Sequence, residues 1–165
     1  LGIGAVKTGY VADAGGARVT GPDGQPTFAW HESQAMARHH QAVALEAAER
    51  RISVNPHEPF KDTGLRRTYP NMVTREGARG MEFSAWGQPG NPPEHEVNLI
   101  FTRLLAGPMD YTPGIFGMVT RSPDGIATTW AKQLALYVTI YSPLQMAADL
   151  LDNYEANPAP FQFIK

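Results

Sequence analysis

The sequence has no cysteine. That rules out disulfide frameworks and thiolate metal sites, and leaves the redox compartment open. Charge is sparse, with Asp, Glu, Lys and Arg at 18% and a net charge of −2. No basic block occurs, which argues against nucleic acid as a partner. No apolar run nears the roughly 20 residues that a membrane span needs, so no membrane partner is expected. There is no initiating methionine and no signal-peptide pattern. The chain opens inside an apolar run, Leu1 to Val6, which reads as the interior of something longer.

What is present suits a globular fold. The 165 residues are 42% apolar, enough for one domain over 1–165 with a sizeable core. Residues 2–11, GIGAVKTGYV, read as a buried strand. Residues 12–27 carry four glycines and two prolines and read as loop. His31 to Arg50 has six alanines and reads as a helix, with Met36, His40, Val43 and Ala47 as its inner stripe. Ile52 to Val54 is again strand. Strand, loop, helix, strand implies a parallel crossover.

The second half continues the alternation. Pro92-Pro93 opens a helix whose inner face is Val97, Ile100, Phe101, Leu104 and Leu105, stopped by Gly107-Pro108. Met109 to Phe116 reads as a short strand running into loop, followed by a turn at Ser122 to Gly125. Thr128 or Thr129 caps a third helix with Trp130, Leu134, Tyr137, Val138 and Tyr141 inward. Leu144 to Ala148 is a last strand and Asp149 to Ala156 a terminal helix. About five short strands alternating with four helices indicate an α/β fold with a parallel sheet. The polar residues cluster just after strands, where (β/α)8 barrels carry their sites.

Chemistry concentrates in Ile52 to Glu82, a polar stretch without helical or alternating period. It holds His57-Glu58, Glu76 and Glu82. Three carboxylates brought together repel, so one must be protonated or a cation must neutralise them. A calcium ion would serve, and two carboxylates could divide acid and base roles across a glycosidic bond. Solvated loop glutamates paired with Arg75 and Arg79 are the commoner arrangement. His57 suits a sugar hydroxyl or an ordinary loop equally well. His31 and His39 fall off the helix stripe and read as surface residues, His40 as a partly buried, satisfied one. Arg66-Arg67 read as ties between loops. Trp86 could stack on a sugar ring. Asp110 is a weaker acid candidate, more often a loop cap.

The runs HEPFKDTGLRRTYPNMVTREGARGMEFSAWG, GNPPEHEVNLIFTRLLAGPMDYTPGIF and TTWAKQLALYVTIYSPLQMAAD closely resemble glycoside hydrolase family 97. The likeness covers nearly the whole chain, with many submotifs in order. It implies secreted or periplasmic α-glucosidases and α-galactosidases built around a (β/α)8 TIM barrel. This chain would supply the second half of that barrel, about strand 4 to helix 8. Glu82, in ARGxE, resembles the general acid. Glu76, in TREG, resembles a calcium ligand. Glu58 follows the His of NxHE, where the inverting subgroup has a residue that is both base and calcium ligand and the retaining subgroup has Gly. Lys7-Thr8-Gly9 carries Gly9 where the retaining subgroup has its nucleophilic Asp. Both departures point to the inverting, α-glucosidase-like branch. His57 and Lys7 match substrate-binding positions.

The implied activity is calcium-dependent, single-displacement hydrolysis of terminal α-glucosidic bonds in oligosaccharides. A retaining α-galactosidase-like enzyme and an inactive, sugar-binding piece are the alternatives. The inverting reading expects the Glu58 and Glu82 carboxyls roughly 6.5–9.5 Å apart, leaving room for a water. The isolated 165 residues are expected to be inactive and to self-associate through exposed strand edges.

Overall fold

A strand forms within the Gly-punctuated apolar run, but over four residues and mostly exposed rather than buried. In the computed structural model, which describes residues 2–10, 16–118 and 125–165, β1 is Ala5–Thr8 and β4 is Ser53–Pro56. They pair in parallel, with Val6 opposite Val54 and Lys7 opposite Asn55. Between them in sequence lies α1, Gln34–Glu49. The expected strand–helix–strand crossover is therefore present. On its other side β4 bridges in parallel to Met72 through Val54.

Helix α1 starts at Ser33, whose hydroxyl accepts the Met36 N–H at 3.2 Å. Such a cap stabilises a helix start by about 1 kcal/mol. The buried face is Met36, His40, Ala44 and Ala47. Val43 is only half-buried, and Ala44 takes its place in the stripe. A small side chain there suits close packing of α1 on β4.

The stretch expected as loop over 12–27 is instead largely an antiparallel hairpin of β2, Gly16–Thr20, and β3, Pro26–Trp30. Its turn is closed by Gly21 N–H to Gln25 O at 2.8 Å and Gly24 N–H to Gly21 O at 3.0 Å, with Gly24 at φ 79. Asp23-Gly24 between β-branched and aromatic runs is a hairpin signal that the glycine and proline count concealed. Residues 11–15, shared between the expected strand and loop, and most of the turn expected at 122–125 lie outside the described residues.

Residues Leu1–Gly77 form one compact unit and Ala78–Lys165 a second. A short helix, α2, Leu65–Thr68, belongs to the first. The second holds α3, Glu94–Phe101; α4, Trp130–Thr139; α5, Leu151–Ala156; and α6, Pro158–Ile164. It also has 3-10 turns at Met81–Ala85 and Arg103–Ala106. Its core joins Met81, Leu99, Met109, Tyr111, Leu136 and Ile140. Thr129, as expected, caps α4 by accepting the Lys132 N–H at 3.2 Å.

The two predicted inner faces in this unit hold only in part. Ile100 of α3 and Leu104 after it pack against the core as expected, and Glu96 and Leu99 join them inward, but Val97 and Phe101 on α3 and Leu105 in the turn beyond it are 52%, 71% and 82% exposed. On α4, Gln133 and Leu136 are buried, followed by Ile140 at its end; Leu134 and Tyr137 are half-buried, while Trp130, Val138 and, beyond the helix, Tyr141 are exposed. In each case a buried polar side chain, Glu96 or Gln133, displaces an apolar one because it has distant partners to satisfy.

The expected strand at Met109 to Phe116 does not form a ladder, nor does Leu144 to Ala148. The 109–116 segment is nevertheless mostly buried. Side chains replace the missing strand partners. Gln133 Oε1 accepts the N–H groups of Gly114 and Ile115 at 2.9 and 3.3 Å. Asp149 Oδ2 accepts those of Phe116 and Gly117 at 2.5 and 2.7 Å. Tyr137 and Tyr154 donate to the carbonyls of Pro113 and Gly114 at 3.0 and 2.9 Å. Every buried backbone group needs such a partner, and here the partners come from helices. Four strands in two separate two-stranded sheets are thus seen among the described residues, against the expected five in one sheet. The chain remains a mixed helix–strand fold.

Candidate active site

The carboxyl ends of β1 and β4 lie side by side because the strands are parallel and in register. His57 N–H donates to Thr8 O at 2.7 Å, continuing the ladder one step past β4. Glu58 then leaves the strand with φ 45, in the left-handed region. A non-glycine residue there carries strain of about 1–2 kcal/mol and marks a functional candidate. Three neighbours hold it. Tyr10 N–H donates to Glu58 Oε2 at 2.8 Å. Glu58 N–H donates to Glu76 Oε2 at 3.3 Å. His31 Nδ1 lies 3.0 Å from Glu58 O.

Glu76 arrives from the segment that follows the Met72 bridge, its N–H donating to Pro56 O at 3.0 Å. Its Oε2 also lies 3.4 Å from Nδ1 of His57, which is 3% exposed. The structure therefore brings Glu58, Glu76 and His57 together at one strand end. Lys7 is exposed on β1, opposite the fully buried Asn55. Gly9 faces Glu58, and a Cβ added to it would meet Glu58 Oε2 at 3.4 Å.

Glu82 belongs to the second unit. It is half-buried in the 3-10 turn Met81–Ala85, beside the buried Met81. Trp86, at the end of that turn, is 60% exposed.

The arginines of this stretch hold the backbone and an aspartate. Arg75 Nη2 lies 3.6 Å from Asp62 Oδ2, and Arg75 Nη1 donates to Phe60 O at 3.3 Å. Arg66 Nε donates to Asp62 Oδ2 at 3.1 Å. Burial pushes the Asp62 carboxyl up, but the Gly64 N–H, Arg75 and Arg66 outweigh it and hold it below the usual carboxylate range. Arg66 and Arg75 thus tie the loop together, while Arg79 packs over the Phe83 ring, 4.7 Å from its centroid. Asp110 is a loop cap, its Oδ1 accepting the Thr112 N–H at 3.2 Å.

Among the histidines, His31 is more than a surface residue, since it contacts Glu58. No local pattern announced this, because the contact spans 27 residues. His40 is buried, but it is not satisfied as expected: among the described residues its Nε2 has no hydrogen-bond partner. Burial first, then His39 and His31, lowers its pKa to about 4.

Glu58 and Glu76 offer hard oxygen donors, the type calcium takes. Among the described residues no group of three or more His, Cys, Asp or Glu side chains is placed to hold a metal ion. Glu58 and Glu76 alone fall short of such a group.

The family model described as Glycoside hydrolase 97 matches residues 1–78, which include β1, β4, His57, Glu58 and Glu76. A glycoside hydrolase family 97 enzyme from Pseudoalteromonas sp. strain K8, solved in complex with acarbose, superposes with a TM-score of 0.87. It is 56% identical, over 98% of this chain and 25% of its own. The chain belongs to glycoside hydrolase family 97. A variant of the Pseudoalteromonas enzyme in complex with panose matches to the same degree. The retaining alpha-galactosidase of Bacteroides thetaiotaomicron is 32% identical over 145 residues, 83% of this chain and 22% of that protein. The chain thus spans about a fifth to a quarter of the family 97 proteins it matches.

Proposed function

We propose that this chain supplies the later part of a (β/α)8 catalytic barrel in a calcium-dependent, inverting α-glucosidase of family 97. The substrates would be oligosaccharides with terminal α-glucosidic bonds. The observation that carries this reading is the Gly9–Glu58 pair. An Asp at position 9 would direct a second carboxylate at the one already present on Glu58, and like charges in one place resist joint ionisation. Position 9 has no carboxylate and the acidic side chain facing it is Glu58, an arrangement that resembles the inverting subgroup. The complexes of the Pseudoalteromonas relative with acarbose and panose support α-glucosides as the substrate class.

In this mechanism Glu82 protonates the departing glycosidic oxygen. Glu58 takes a proton from the water that attacks the opposite face of the sugar. Each such group contributes about 10²–10⁴-fold. His57, held beside Glu76, and Lys7 bind sugar hydroxyls. Glu58 and Glu76 would hold the calcium ion, which would supply fixed positive charge to offset their repulsion and polarise the sugar or water. Tyr10 N–H and His31 keep Glu58 in its left-handed conformation.

A retaining α-galactosidase is the second reading, favoured by the name of the Bacteroides relative. Assay of the full-length protein on p-nitrophenyl α-glucoside and α-galactoside, with the product anomer followed by NMR, decides between them. Turnover of the galactoside alone with retention would overturn the proposal. A periplasmic or secreted location belongs to the same proposal and is tested by fractionating the producing cells. No helix among the described residues is long and apolar enough to cross a membrane. β1 is an outer strand of its sheet. Through that edge the isolated 165 residues are proposed to self-associate, which light scattering checks.

A further inference from the structure

One residue before Glu82 lies the Gly80–Met81 peptide group, and both of its polar atoms are held. Asn91 Nδ2 donates to Gly80 O at 2.8 Å. Met81 N–H donates to Tyr111 O at 2.8 Å. Gly80 and Met81 are buried, so water offers these atoms little alternative. Asn91 also grips the other side of Glu82, because its own N–H donates to Ser84 Oγ at 3.2 Å. One residue, 5% exposed, thus brackets the turn that carries Glu82.

Asn91 is itself braced. Its Nδ2 also donates to Tyr111 Oη at 3.4 Å. Tyr111 Oη donates to Glu96 Oε1 at 2.7 Å. Glu96, 3% exposed on α3, receives Lys132 Nζ from α4 at 2.8 Å. Burial pushes the Tyr111 phenol well above its usual range, as do the charge and hydrogen bond of Glu96, so it stays protonated and keeps donating. An ion pair in which each member has a partner explains why a charged residue occupies the inner face of α3.

We propose that Asn91 is a positioning residue for Glu82: by holding Gly80 two residues before it and Ser84 two residues after it, Asn91 fixes the turn that aims the Glu82 carboxyl. This rests on the reading of Glu82 as general acid. Rotation of the 80–81 peptide swings the Glu82 side chain, and a displacement of about 1 Å costs on the order of 10²-fold in rate. Residues that orient a reacting group matter as much as the group, because the productive geometry tolerates only about 0.5 Å and 10–20° of error.

The test uses the full-length protein and two substrates of one sugar. A disaccharide leaving group must be protonated as it departs, whereas the fluoride of a glycosyl fluoride leaves without an acid. Asn91→Ala is expected to lower kcat on the disaccharide by about 10–100-fold, with KM little changed and the fluoride affected only a few-fold. Tyr111→Phe should show the same asymmetry, smaller. Glu82→Gln is the control. If it loses activity equally on both substrates, the general-acid reading fails. If Glu82→Gln is asymmetric but Asn91→Ala loses equally on both, the positioning role fails and the acid reading stands. Should Asn91→Ala not fold, Tyr111→Phe decides alone, since it leaves the ring in the core. Equal losses, or none, would overturn the proposal.

Discussion

Gly9 and Glu58 oppose each other across the ends of two parallel strands, so that a Cβ on Gly9 would stand 3.4 Å from Glu58 Oε2. Glu58 Oε2 already accepts the Tyr10 N–H at 2.8 Å. The consequence is stereochemical. The first product formed by the full-length protein should have the opposite anomeric configuration to the substrate, as proton NMR reads directly. Retention would sink the inverting assignment. Gly9→Asp should lower kcat, because a second carboxylate beside Glu58 raises the pKa of one of them.

Glu58→Gly separates strain from catalysis. Glycine adopts φ 45 freely, which relieves about 1–2 kcal/mol. Loss of the hydrogen bond from Tyr10 returns about 1 kcal/mol. Net stability should therefore stay within about 1 kcal/mol, a shift in Tm of a few degrees at most. Hydrolysis should fall by about 10²–10⁴-fold. A large drop in Tm would show that Glu58 is chiefly a structural anchor.

Stability should fall in mild acid because of His40. Its folded pKa is depressed to about 4 from 6.5, so the folded state favours the neutral ring. Between those values the unfolded chain binds a proton that the folded chain does not. The contribution is complete above about pH 6.5 and is lost as pH falls towards 4, with a total of about 3 kcal/mol. Tyr10, His39 and Phe60 pack around the ring at centroid distances of 5.0, 5.9 and 5.2 Å, and none supplies a carboxylate. His40→Leu should flatten the decline in denaturation midpoint over that window. Parallel curves for both proteins would count against His40 as its source.

Chelation should act through Glu58 and Glu76. EDTA is expected to lower both activity and Tm of the full-length protein, with calcium restoring them. Ligand binding to the native state stabilises it by RT ln(1 + [L]/Kd), about 2.7 kcal/mol at a hundredfold excess over Kd. Glu76→Gln should blunt the response of Tm to calcium. An unchanged Tm in wild type after chelation would remove the metal from the proposal.

Gln133 should prove structural. Its Oε1 serves the buried N–H groups of Gly114 and Ile115, and the side chain is fully buried. Gln133→Leu keeps much of the volume and removes the acceptor, leaving donors whose desolvation costs about 1–3 kcal/mol each. Chemical denaturation measures the loss. A variant as stable as wild type would mean that Gly114 and Ile115 find other partners.

Much of the first unit was legible in the sequence, because its signals are local. Alanine-rich Gln34–Glu49 is helical by propensity, and short strands on either side of it imply a parallel crossover. The order strand, then His57-Glu58, placed the acidic residue at a strand end where sites form. The motifs around Glu58, Glu76 and Glu82 were sufficient to mark the family.

Tertiary structure decided the rest. It turned α3 and α4 so that Glu96 and Gln133 face inward, since their partners lie 15 to 36 residues away along the chain. It replaced an expected strand at Met109 to Phe116 with backbone held by Gln133, Asp149, Tyr137 and Tyr154. It also brought His31 and Tyr10 to Glu58 across 27 and 48 residues. Periodicity records which residues are apolar, and local propensity records which segments can form. Neither carries the identity of a distant partner, and a buried polar group is placed by that partner alone.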